Sequence, residues 1–113
     1  MPHYLVQFSY ASSSIRSMVR RPDVDHAAQA SAMVASLGGK LLGYWYSFGD
    51  FDGVALMEAA DSSVAAAVSM AIGGTGEVTR LQTTVLVTMA EAQKATRLAA
   101  SATHLPNGEK EKR

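Results

Sequence analysis

Two aspartates lie two positions apart in a short segment of the chain, Gly49-Asp50-Phe51-Asp52-Gly53. Carboxylates at this spacing are able to bind a cation or to work as an acid and a base. The same residues are typical of a tight turn, because aspartate side chains accept hydrogen bonds from nearby backbone and the flanking glycines permit positive φ. Since turn chemistry explains Asp50 and Asp52 without a ligand, we favour a structural role for both.

An aromatic cluster precedes this turn, in a chain that is only 7% aromatic. Its large side chains are candidates for the wall of a ligand pocket, with one glutamine from a neighbouring strand as a polar group. Packing in a core or a subunit interface is the more common use of such residues. The candidate ligand-binding residues that we name from the sequence are Gln7, Tyr44, Trp45, Tyr46 and Asp50.

Other residues able to do chemistry give weaker signals. His3 begins a predicted strand and His26 lies in the first turn of a predicted helix, and they lack the carboxylate pattern expected of a metal site. The run Gly73-Gly74-Thr75-Gly76 follows a helix, whereas a phosphate site needs a helix N-terminus. The chain has no cysteine, which excludes disulfides and thiolate metal sites. We therefore expect no metal and no cofactor.

The charge balance and the hydropathy pattern exclude further classes. Ten acidic and ten basic residues give a net charge of zero, with a pI near 6.8, whereas nucleic-acid-binding domains carry a basic surface. No apolar run reaches the roughly 18 residues of a membrane span. The chain enters a strand pattern almost at once, without the basic start of a signal peptide. We expect a cytoplasmic protein that binds neither nucleic acid nor membrane.

The elements that must position these residues follow from the periodicity of apolar side chains. A strand is predicted at 3–10, because Tyr4, Val6, Phe8 and Tyr10 fall on one face. The other elements are predicted as a short helix at 15–20 after three capping serines, a helix capped by Asp23 or Asp25 that runs to Leu37, strands at about 40–48 and 53–60, a helix capped by Asp61 that ends at Gly73-Gly74, a strand at 77–87, and a helix capped by Thr88 from Met89 to about Ala102.

Strict alternation divides the aromatic strand between two faces. It predicts Leu42, Tyr44, Tyr46 and Phe48 on one face, and Leu41, Gly43, Trp45 and Ser47 on the other. Both faces are apolar, so helices are expected to cover one and a ligand or a second subunit the other.

This order of elements is typical of a ferredoxin-like β-α-β-β-α-β domain of the α+β class, with an extra C-terminal helix. It predicts a four-stranded antiparallel sheet in the order 4-1-3-2, with helices on one face. The domain is expected to span residues 1–102. The remaining segment, 103–113, ends in five charged residues and is predicted to be a tail that does not pack.

In several short segments, the sequence resembles the GYD-domain family. The likeness rests on the opening segment 2–10, on Leu37-Gly38-Gly39-Lys40-Leu41, on the segment 43–52, and on Thr83-Thr84 in the last strand. It covers about residues 1–98. Position 51 is Phe where the family commonly has Tyr, so a role for a phenol there is not expected. The resemblance implies a small bacterial protein of the dimeric α/β-barrel superfamily, and it implies no established activity.

Two function classes remain from the sequence. The first is a homo-oligomeric protein that binds a small apolar or aromatic molecule, or that serves assembly, without strong catalysis. Its basis is that no catalytic constellation is found. The second is a cofactor-free enzyme of the monooxygenase or isomerase kind, which the superfamily resemblance implies, with Gln7, His3 and Asp50 as polar groups. A titratable group pointing into a closed apolar cavity would favour the enzyme.

Overall fold

The structure of the protein is a computed structural model that describes residues 1–103. The charged tail predicted for 103–113 lies outside the described residues except for its first residue. Eight elements follow one another along the chain: β1 His3–Tyr10, α1 Ser12–Arg20, α2 His26–Ser36, β2 Lys40–Tyr46, β3 Gly53–Glu58, α3 Ser62–Gly73, β4 Val78–Leu86 and α4 Met89–Ala100.

Three of the four helices begin at the caps that the sequence predicts. The carboxylate of Asp25 accepts a hydrogen bond from the backbone at the start of α2, and that of Asp61 does the same for α3. Thr88 and Glu91 form a complete capping box at the start of α4. The exception is α1, where the predicted serine caps are wrong: the helix already includes Ser12, and its N-cap is Ala11 without a side-chain bond.

The four strands form one antiparallel sheet in the order β2-β3-β1-β4, which confirms the predicted order and the ferredoxin-like α+β fold. The central strand β1 pairs with β3 on one side and with β4 on the other. In these ladders Val6 lies opposite Ala55 and Thr83. Strands β2 and β4 form the two edges.

The hydrophobic core lies between one face of this sheet and helices α2 and α3. Alternate residues of β1 point into it, as predicted from their period of two. Val34 from α2, and Ala65 and Val68 from α3, meet them from the helix side. The buried residues are Tyr4, Val6, Phe8, Val34, Ala55, Met57, Ala59, Ala65 and Val68.

Strand β2 does not alternate strictly, because its pairing with β3 shifts between Leu41 and Gly43. This bulge leaves Leu42 as the extra residue and places Leu41 on the core side, together with Tyr44. The predicted division of the faces is therefore wrong for Leu41. It holds after the bulge, where Trp45 points away from the helices.

The loop that joins β2 to β3 is held by its backbone and by one aspartate. Ser47 and Phe48 donate backbone hydrogen bonds to the carbonyl of Asp52. The residue with positive φ is Phe48, at 47°, and not one of the flanking glycines as predicted. A bulky residue in this region is strained, and its exposed ring stacks on Tyr46 at 5.7 Å between centroids.

Helix α4 extends from the end of β4 and buries almost none of its surface. Only Ala92 is partly shielded, while Met89 is 78% exposed and Leu98 is 63% exposed. An isolated helix of this length is marginal in water, so its capping box contributes much of its local order. Within residues 1–103, every helix is too short or too polar to cross a membrane.

Candidate functional site

A cavity of about 250 Å³ lies between the sheet and helices α2 and α3, and we call it the helix–sheet cavity. Its wall is mainly apolar, with a few polar side chains towards its mouth. The lining residues are Val6, Phe8, Tyr10, His26, Gln29, Ala30, Met33, Val34, Leu41, Tyr44, Ala55, Met57, Val68, Ala71, Ile72, Thr75, Glu77 and Val78.

Small residues on β3 and on the helices create this space. On the core side β3 contributes Ala55, and the helices contribute Ala30 and Ala71. A Cβ added at Gly53 would lie 2.5 Å from the ring of Phe8, so only glycine lets that ring lie across β3. Aromatic rings from β1 and β2 therefore meet over β3: Phe8 and Tyr44 have centroids 5.6 Å apart.

Two phenol groups form the main polar feature of the wall. The hydroxyls of Tyr10, on β1, and Tyr44, on β2, are hydrogen-bonded to each other. Burial raises the pKa of Tyr10 well above its usual value, and the hydrogen bond with Tyr44 raises it further. Burial also raises the pKa of Tyr44, although the bond to Tyr10 opposes this. Both phenols therefore remain protonated at physiological pH and offer hydrogen bonds as neutral groups.

The hairpin loop fixes the position of Tyr10. The backbone N–H of Tyr10 donates to the carboxylate of Asp52 at 2.8 Å, and the N–H of Asp52 donates to the carbonyl of Phe8 at 2.9 Å. These bonds hold β1 at the point where its pairing with β4 shifts, between Ser9 and Tyr10. Asp52 thus has a structural role, but its carboxylate bonds the backbone of another strand and not that of its own turn, as turn chemistry would predict. It also positions one phenol of the pair.

The other titratable groups of the lining lie at the mouth of the cavity. His26, in the first turn of α2, and Glu77, just before β4, both line the cavity. The same two residues and Tyr10 also border a shallow groove against α1, formed by Ser13, Ser14, Ser17 and Met18. Helix α1 is fixed there by the hydroxyl of Ser14, which donates to the carbonyl of Glu77 at 2.8 Å.

The residues named from the sequence as a ligand site do not lie together. Tyr44 lines the cavity, and Tyr46 packs on it from outside, with centroids 5.9 Å apart. Gln7 and Trp45 lie on the opposite, open face of the sheet. Asp50 lies in the hairpin loop, where its carbonyl accepts a hydrogen bond from Arg80 at 3.3 Å.

Sequence reasoning does not identify Tyr10, His26 or Glu77 as cavity residues. It places Tyr10 only within a strand, and it treats His26 as one of two unrelated histidines. The signal available is weak: Ala55 on β3 is a small residue opposite the aromatic strand β2, but the space over its neighbour Gly53 is filled by the ring of Phe8.

The described residues contain no evident metal site. Across residues 1–103, no three His, Cys, Asp or Glu side chains are grouped closely enough to hold an ion. The contact between His3 and Glu58 on the open face is long, at 3.7 Å, and both side chains are partly exposed.

Comparisons with known proteins agree on the fold. The crystal structure of FFRP-DM1 is similar with a TM-score of 0.52 and 11% identity, over 77% of this chain and 100% of that chain. The crystal structure of TTHA0845 from Thermus thermophilus is similar with a TM-score of 0.52 and 17% identity, over 78% of this chain and 95% of that chain. At these identities the likeness shows the fold alone.

A search of curated proteins finds no match. The family model of the GYD domain, in contrast, matches residues 4–96, which is most of the chain. That range contains nearly all of the sheet, the hairpin loop with Asp52, and every residue of the cavity wall. The chain therefore belongs to the GYD-domain family.

Proposed function

We propose that the protein binds one small, mainly apolar molecule in the helix–sheet cavity. The observation that carries this proposal is the apolar cavity itself, which ends on the hydrogen-bonded phenols of Tyr10 and Tyr44. Ligand sites are usually apolar hollows with a few convergent polar groups. An apolar molecule bound there would supply packing contacts that the lining side chains otherwise lack.

The size of the cavity sets the size of the ligand. Its 250 Å³ lies just below the range of about 300–1,000 Å³ that is usual for drug-sized molecules. A single ring with a short substituent matches this volume, and a polycyclic molecule does not.

We further propose that the protein is a homo-oligomer, most simply a two-fold dimer, that associates through the open face of the sheet. Two rows of partly exposed residues on this face support the proposal. Each row crosses all four strands in register: Trp45, Val54, Gln7 and Gln82 form one, and Gly43, Leu56, Leu5 and Thr84 form the other. An isologous contact lets such a patch, apolar at Trp45, Val54, Leu56 and Leu5 and polar towards β4, cover its copy.

Native mass spectrometry of the protein from its own host tests both proposals at once. We expect a mass above the monomer's 11.9 kDa and a retained small molecule. The variant Ala30→Leu places three further carbon atoms in the cavity and should lose the retained molecule. The control Ala35→Leu adds the same atoms at an exposed position of α2 outside the lining and should keep it. A retained molecule that survives Ala30→Leu would contradict the site.

A cofactor-free enzyme is the second candidate function. It is favoured by one observation: His26 and Glu77, two groups able to move protons, both border the cavity. The molecule identified by mass spectrometry is then the substrate or product to test. Chemical turnover by the wild type that is lost in His26→Gln, with binding retained, would favour the enzyme. Binding without turnover would favour a protein that binds the molecule without transforming it.

A further inference from the structure

We propose that the helix–sheet cavity selects neutral molecules that carry a hydrogen-bond acceptor, such as a carbonyl oxygen, over anions and over hydrocarbons of the same size. The inference rests on the proposed function, since it names the class of ligand for the same cavity. It depends on three features of the wall: the one hydrogen-bond donor that the phenol pair leaves unused, the protonation of the two phenols, and the charges around them.

The phenol pair has one donor to spare. Each tyrosine hydroxyl has a single O–H, and the pair of Tyr10 and Tyr44 uses one of the two in its mutual hydrogen bond. The described residues offer no second side-chain or backbone partner to either hydroxyl within hydrogen-bond distance. One O–H therefore remains free in a wall that is otherwise largely apolar. An acceptor atom on the ligand completes the pair.

The protonation of the phenols makes them donors over the whole physiological range. Burial is the main reason that the pKa of each hydroxyl lies above its ordinary value. A phenolate, which would call for a cationic ligand, is thus disfavoured in the cavity.

The charges around the cavity disfavour an anion. The lining residues, all within the described range, include no lysine and no arginine. The one acidic residue among them is Glu77, and the one that can become cationic is His26, at the same mouth. A carboxylate moved from water into an apolar wall without a cationic partner loses much of its solvation energy. A hydrocarbon meets no such penalty but leaves the free O–H without an acceptor.

Three probes of equal size separate these cases: acetophenone, cumene and benzoate. They have the same number of non-hydrogen atoms and differ in carrying a carbonyl, no polar group, or a negative charge. Binding is followed by NMR of methyl-labelled methionines at about pH 8, where histidine is ordinarily neutral. Met33 and Met57 line the cavity and report binding there, while Met89, exposed on α4, serves as the internal control.

We expect acetophenone to bind about three- to tenfold more tightly than cumene, which is the usual net effect of one hydrogen bond. Benzoate should bind more weakly than both. Tyr10→Phe and Tyr44→Phe should each keep the preference for acetophenone, because the remaining hydroxyl is released from the pair and can donate. The double variant should bind acetophenone and cumene equally. Tyr46→Phe removes a nearby phenol outside the cavity and should behave as the wild type.

The outcomes distinguish the two proposals. If none of the probes shifts Met33 or Met57, cavity binding fails and the ligand class fails with it. If cumene or benzoate binds as tightly as acetophenone in the wild type, the cavity binds ligands but the inferred class is wrong. The class is also wrong if the double variant is folded and still prefers acetophenone. The inference is supported if the preference for acetophenone is lost in the folded double variant and is kept in both single variants.

Discussion

Gly53 and Gly43 each lie under an aromatic ring, but only one of these rings belongs to the core. A Cβ at Gly53 would be 2.5 Å from the ring of Phe8, which is buried in the core and cannot move into solvent. A Cβ at Gly43 would be 2.2 Å from the far end of the indole of Trp45, which is 53% exposed and can swing into solvent. The same added methyl group therefore has different costs at the two sites.

We expect Gly53→Ala to lower the free energy of unfolding by about 1–3 kcal/mol, as overpacking of a core does. Gly43→Ala should change stability by less and shift the fluorescence of Trp45, the sole tryptophan. Gly49→Ala is the matched control, because nothing lies within 4 Å of its Cβ position. Urea unfolding with fluorescence detection measures all three. Equal losses at the two ring positions would contradict this account.

The phenol pair predicts a loss of stability at alkaline pH. Tyr10 and Tyr44 have pKa values raised above 10.0 in the folded protein, so the folded state keeps protons that the unfolded chain releases. Their contribution to the free energy of unfolding is therefore complete below about pH 10 and is lost as the pH rises beyond it. We expect the free energy of unfolding to fall less steeply above pH 10 in the double phenylalanine variant than in the wild type.

At the scale of elements, the hairpin loop and the end of β1 act as one unit through Asp52. Its carboxylate accepts the hydrogen bond from Tyr10, and an asparagine in its place keeps a side-chain acceptor. We expect Asp52→Asn to change the free energy of unfolding only modestly. Asp52→Leu, with no acceptor, should lower it by about 1–3 kcal/mol, because the N–H of Tyr10 loses its partner.

Asp50 provides the control within the same loop. Its contribution is a backbone carbonyl that accepts from Arg80, and that group is retained in any substitution. Asp50→Leu should therefore remain close to the wild type in urea unfolding. If Asp52→Leu is as stable as Asp50→Leu, the link between the loop and β1 has no energetic importance.

The order of elements could be predicted from the sequence because periodicity and caps are local. Asp25, Asp61 and Thr88 mark helix starts with their own side chains, and alternation marks β1. The bulge at Leu42 could not be predicted in this way, since it depends on the register against β3.

The cavity could not be predicted for a related reason. Tyr10, His26 and Glu77 come from three parts of the chain that are distant in sequence, and the order of the strands alone does not place side chains against one another. Tyr44 is a candidate because it belongs to a visible aromatic run, while Tyr10 gives no signal apart from its strand. Local sequence patterns thus predict the frame, and the polar groups of the cavity depend on tertiary packing.

At the scale of the whole molecule, the open face of the sheet is the surface through which we propose that two copies associate. Trp45 stands on that face, where its ring is half exposed. If a second copy covers this face, Trp45→Ala should weaken association without unfolding the domain. Phe48→Ala is the control, since it removes a similarly exposed ring that stacks on Tyr46, on the helix side.

Sedimentation at micromolar concentration, with circular dichroism as the check on folding, measures the effect. We expect the wild type and Phe48→Ala to sediment above the monomer mass of 11.9 kDa and Trp45→Ala to shift towards it. A wild type that sediments only as a monomer would refute the assembly. Loss of the folded spectrum in Trp45→Ala would instead assign this side chain to the stability of the domain.

The central place of β1 has a consequence for the way the chain is made. Strand β1 is synthesised well before its neighbour β4, which begins only at Val78. Until β4 arrives, the backbone groups along one side of β1 have no partner, and such an edge is a template for pairing with another chain. Nascent or truncated chains that stop before Val78 therefore carry an aggregation hazard in a strand that the finished protein pairs on both sides.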